Sequence, residues 1–103
     1  MSLVNLFDAA SALPGAWSSR LLGEIGTAAV KLLRMDGTPV REEAHGTAEI
    51  LIVLDGRMEL VVQGDPVSVG PGEMYRVPAG TAHAVGPGSH GILLIVEVPE
   101  TDR

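Results

Sequence analysis

Glu43-Ala-His45-Gly-Thr-Ala-Glu49-Ile-Leu-Ile-Val-Leu-Asp-Gly56 sets three residues of metal-ligating type directly ahead of an unbroken apolar run. Side chains alternate direction along a strand, so an inward Glu49 brings Leu51 and Val53 inward and leaves Ile50, Ile52 and Leu54 on the opposite face. Both faces are apolar, so such a strand needs cover on both sides. Upstream, Arg41, Glu43 and His45 share strand parity, and a strand that turns His45 inward carries the other two with it. Gly46 lets the chain turn before Glu49, and Asp55-Gly56 reads as a turn after Leu54.

Working outward, the same texture of short apolar runs and turn signals extends in both directions. Gly23, Gly26, Asp36-Gly37, Gly64-Asp65-Pro66, Gly70-Pro71-Gly72, Pro78-Ala79-Gly80 and Gly86-Pro87-Gly88 punctuate the chain. They bound candidate strands at about 18–24, 28–35, 40–43, 49–54, 57–63, 66–69, 73–77, 83–85 and 92–98. This pattern predicts an all-β sandwich or barrel. Only the beginning differs: Leu3, Val4, Leu6, Phe7, Ala10 and Leu13 recur at helical spacing until Pro14-Gly15 stops them, which predicts one short amphipathic helix.

A chain of 103 residues suits one domain, 1–103, with 1–16 as a helical segment packed on the barrel. Three aromatic residues, Phe7, Trp17 and Tyr75, leave an aliphatic core and no platform for stacking bases or sugars. A net charge of -6 without any Lys/Arg cluster argues against nucleic acid as a partner. Cysteine is absent, which excludes disulfides, thiolate metal sites and cysteine nucleophiles. No apolar run reaches membrane-spanning length, and the start lacks a basic region followed by a long apolar one. A cytoplasmic protein without a membrane partner is expected. Ile92-Leu-Leu-Ile-Val96 is apolar on both faces like Ile50 to Leu54, and one short helix is too little cover, so a homodimer is expected.

The opening segment resembles the first motif of the cupin family, in which a His-x-His pair is followed by Glu and then, six residues on, by Gly. Gly72-Glu-Met-Tyr-Arg-Val-Pro78-Ala-Gly80-Thr-Ala-His83 resembles the second motif, Gly, five residues, then Pro-x-Gly-x-x-His. The resemblance runs from about Ala28 to Val98. It implies the cupin-type double-stranded β-helix, a jelly-roll barrel, and activities that include dioxygenases, isomerases and decarboxylases. Two positions depart from the family: Glu43 stands where the first histidine is usual, and Pro87 where the second motif usually ends in Asn.

The donor chemistry can also be read directly. His45 and His83 offer imidazole nitrogens and Glu49 a carboxylate, a set that suits Fe(II) and that zinc, manganese or nickel also occupies, with Glu43 as a fourth ligand. The alternative is a hydrogen-bonded polar cluster without metal, in which Glu43 pairs with Arg41. His90, in Gly86-Pro-Gly-Ser-His-Gly91, reads as an exposed loop histidine. Trp17 reads as a packing anchor, one of Tyr75 and Arg76 should face the barrel, and Met35, Met58 and Met74 read as gap fillers.

Two functions follow. One is a metal-dependent enzyme acting on a small molecule, with Glu43 as ligand or general base and Arg41 orienting an anionic group. The other is a barrel that binds or senses a small molecule without turnover, to which an aliphatic cavity wall is suited.

Overall fold

In the computed structural model the described residues are 3–99. They form one short helix, α1 (Leu6–Ser11), and eight strands: β1 (Arg20–Ile25), β2 (Ala28–Asp36), β3 (Val40–Glu43), β4 (Glu49–Val62), β5 (Asp65–Val69), β6 (Met74–Val77), β7 (His83–Val85) and β8 (His90–Glu97). All pairings are antiparallel, in the order β1-β2-β8-β4-β7-β3, with β5 and β6 also on β4. The all-β jelly-roll expectation is met.

The organising element is β4. Its first half pairs with β6 and β8, and its second half with β5 and β7, so one continuous strand belongs to both layers of the barrel. Asp55-Gly56 is therefore not the turn expected from its sequence. The chain bulges between Val53 and Asp55 and carries on, with Gly56 in the left-handed region at φ 81°. Gly56 faces Gly91 on β8, which has φ 101°. A Cβ on Gly56 would run into the His90 carbonyl, and one on Gly91 into that of Asp55. Two glycines let the strands cross at a separation that no side chain allows.

Alternation along β4 and β8 builds two apolar layers. Leu51, Val53, Met58, Leu60 and Leu93 are buried inside the barrel together with Leu33, Met35, Val69 and Val77. On the outside, Leu54, Ile92 and Leu94 pack with Leu32 against Ala9 and Ala10 of α1. A helix this short is marginal alone. Asn5 caps it by accepting the Asp8 N–H at 3.0 Å, and Arg34 Nη1 donates to the Ala10 carbonyl at 3.0 Å. The helix is shorter than the apolar spacing from Leu3 to Leu13 suggested.

The remaining differences are small. Tyr75 packs on the core while Arg76 is exposed. His90 is exposed as expected, but it begins β8 instead of lying in a loop, and its Nδ1 sits 3.0 Å from the Gly88 carbonyl. Ser89 beside it is fully buried, donating to the Gly86 carbonyl and accepting the Glu59 N–H. Among the described residues no helix is long and apolar enough to cross a membrane.

Candidate metal centre

Glu43 ends β3, His83 begins β7, and the two are direct cross-strand partners, so their side chains share the inner face. His45 follows on the connection to β4, where Gly80 N–H donates to its carbonyl at 2.7 Å and ties the loop ahead of His83 to it. The imidazoles of His45 and His83 meet edge to face with centroids 5.7 Å apart. Glu43, His45 and His83 each present a donor atom, and these atoms lie within 4.8 Å of one another.

Glu49, the first residue of β4, reaches the same place from the other layer. Its Oε2 lies 2.9 Å from His83 Nε2, and the two side chains are only 11% and 9% exposed. His83 Nδ1 sits 2.9 Å from the Thr81 carbonyl, which turns Nε2 toward the cluster. An outer carbonyl fixing one ring nitrogen so that the other faces inward is the usual orientation of a metal-ligating histidine. The outer half of the cluster is wetter. His45 Nε2 and Glu43 Oε1 are 2.8 Å apart, with side-chain exposures of 38% and 48%. Glu43 thus pairs with His45. Of the four residues singled out from the sequence, the structure converges the donor atoms of His45, His83 and Glu43, and Glu49 reaches the group through its contact with His83. Two imidazoles and the Glu43 carboxylate, converging from two strands and a loop, are a donor set that suits a divalent cation, and Glu49 borders it through His83.

The cluster opens onto a cavity of about 210 Å³. Its floor and walls are Leu33, Leu51, Met58, Leu93 and Ile95, and Arg41 joins the donor residues on its polar side. Two lining residues were not expected. Glu97, at the end of β8, is the direct cross-strand partner of Glu49 and lines the cavity, and its Oε2 pairs with Lys31 Nζ at 2.7 Å. Like charges directly opposite one another are unfavourable in a sheet. Here each carboxylate has its own partner, His83 for Glu49 and Lys31 for Glu97. Continuing the alternation of Leu93 and Ile95 by two residues would have placed Glu97 on the inner face.

Trp17 is the second. It packs on the core, as an anchor should, but it also lines the cavity, so the wall has an aromatic member after all. Its backbone is left-handed at φ 62°, a conformation that costs a residue of this size about 1–3 kcal/mol. Two bonds hold it there: its N–H donates to the Arg34 carbonyl at 2.8 Å, and Nε1–H to Asp36 Oδ1 at 3.1 Å. Asp36 also accepts the Thr38 N–H at 3.0 Å. Chiefly through Thr38, with Trp17 contributing, its carboxyl is held below the ordinary value.

Comparison with known proteins agrees with this architecture. Residues 34–99 match the family described as cupin domain. A cupin-2 domain containing protein from Shewanella frigidimarina superposes with TM-score 0.87 at 25% identity, over 95% of this chain and 96% of that one. TT1209 from Thermus thermophilus superposes with TM-score 0.80 at 22% identity, over 98% of this chain and 100% of that one. DMSP lyase DddQ from Ruegeria pomeroyi superposes with TM-score 0.71 at 23% identity, over 84% of this chain but 48% of that one. The last two likenesses concern the fold alone. No curated protein sequence matches the chain. With the family matched over most of its length and both motif histidines in the barrel, the chain belongs to the cupin domain family.

Proposed function

We propose that this cupin holds a divalent metal ion among Glu43, His45, Glu49 and His83 and uses it on a small oxygen-bearing molecule in the cavity beneath. The observation that carries the reading is the convergence of Glu43, His45 and His83 donor atoms within 4.8 Å, beside a cavity able to take a ligand. Iron(II), zinc, manganese and nickel all accept such a nitrogen and oxygen set. When bound, an ion of this kind polarises a carbonyl or carboxylate oxygen.

The chain's own residues supply the rest. Thr81 orients His83, and Glu49 borders the same ring from inside. Arg41 in the cavity wall offers a guanidinium to an anionic group. Glu97, held by Lys31 and lining the cavity opposite Glu49, is placed to accept a proton from a bound molecule and return it. An acid–base group beside the donors favours turnover, of isomerase or dioxygenase type. A barrel that only binds or senses its ligand is the second reading, favoured by the mainly aliphatic wall.

Elemental analysis by mass spectrometry tests the metal. Untagged protein is expected to carry about one ion per chain, and the His45→Ala, His83→Ala double variant none. Neither protein holding metal after incubation with iron, zinc, manganese and nickel would sink the proposal. We also propose that the protein is a homodimer, supported by the apolar outer face of the sheet formed by β1, β2, β8, β4 and β6, where Ile25 is 81% and Met74 54% exposed.

A further inference from the structure

The cavity adds to what the donor cluster says about the ligand. It measures about 210 Å³, and an apolar cavity of about 150 Å³ is already large enough for benzene. Beneath the donors there is therefore room for one six-membered ring with a small polar head.

Trp17 is the part of the wall that an aliphatic barrel does not need. It is the chain's only tryptophan, and it comes from the irregular segment between α1 and β1, not from a barrel strand. A leucine or methionine is enough to seal an aliphatic barrel, whereas here an indole is held at a left-handed backbone position and tethered to Asp36. Strained non-glycine residues persist where the surroundings over-determine them, and they concentrate at binding sites. What an indole adds is a flat, polarisable surface that prefers other rings.

The geometry points to Trp17 as the residue that determines specificity: the ring of a monocyclic ligand packs on its indole, while the ligand's oxygen-bearing head meets Glu43, His45 and His83. The placement of the head rests on the metal reading above; the ring contact does not.

The test uses the full chain loaded with zinc, which is redox-inert, and two probes that share an oxygen head and differ in the ring, benzohydroxamate and acetohydroxamate. Calorimetry gives the affinities and Trp17 emission reports the contact. Benzohydroxamate is expected to bind about tenfold more tightly than acetohydroxamate, with a saturable change in Trp17 emission. In Trp17→Leu that preference should disappear. In Trp17→Phe, which keeps a six-membered aromatic ring but loses the bond to Asp36 and part of the indole surface, a reduced preference should remain.

An unchanged preference in Trp17→Leu, or saturation of the wild type without any change in emission, overturns the proposal. So does failure of benzohydroxamate to bind the zinc-loaded protein. Should Trp17→Leu not fold, the wild-type emission decides. Failure of zinc itself to bind overturns the metal reading instead. Benzoate added to the metal-free chain then decides the ring contact: a saturable change in Trp17 emission supports it, and no change overturns it.

Discussion

Glu49 and Glu97 face each other across two strands, yet their partners give them different work. Glu49 touches a donor histidine and Glu97 a lysine. Glu49→Gln should therefore weaken metal affinity by about 10–100-fold, whereas Glu97→Gln should leave metal content unchanged and reduce any turnover; equilibrium dialysis against zinc separates the two. Asp36 carries a different prediction. Its carboxyl is held below the ordinary value of 3.8 by Thr38 and Trp17, so its contribution to stability is present above pH 3.8 and is lost as pH falls through the lower folded value. Asp36→Ala should melt below wild type at pH 7, and the gap should close in strong acid, as followed by thermal melts monitored through Trp17. His45, Glu49 and His83 were legible because their spacing is local and each lies beside a turn that fixes its direction. Trp17 and Glu97 were not. Alternation from Leu93 and Ile95 gives Glu97 its inner face, but its position opposite Glu49 depends on the β8–β4 register, and Trp17 comes from an irregular segment; local periodicity encodes neither of these placements.

Strand β4 was legible in its alternation and misread in its continuity. An Asp-Gly pair between apolar runs is an ordinary hairpin signal, and what overrides it lies 35 residues downstream, where Gly91 makes room for Gly56. Replacing either with alanine should therefore cost far more than replacing a turn glycine. Gly56→Ala and Gly91→Ala meet facing backbone as well as an unfavourable φ, and each should destabilise by on the order of 3 kcal/mol or fail to fold. Gly64→Ala, where nothing stands within 4 Å, should cost about 1 kcal/mol. Urea unfolding of the three variants measures the contrast, and equal losses would remove the close crossing from the account of the fold.

The two-sided apolar strands pointed beyond a single chain from the start. Helix α1 covers Leu32, Leu54, Ile92 and Leu94 but leaves Ile25 and Met74 largely exposed. The proposed homodimer predicts that light scattering after size exclusion returns twice the 10.7 kDa of one chain. Ile25→Glu with Met74→Glu should return a monomer that keeps its fold, because neither side chain is buried in the single chain. A wild-type monomer at micromolar concentration would remove the proposal.

β8 lies between β2 and β4, with a full ladder on each side. Among the described strands it is also the last to leave the ribosome. Until His90 to Glu97 emerge, β2 and β4 each offer an open edge to any other nascent strand nearby. The barrel thus closes only once β8 has emerged, and the same eight residues that seal it deliver Leu93, Ile95 and Glu97 to the cavity. A chain that still lacks β8 has no ligand site to occupy, so binding can reward only molecules whose barrel has already closed.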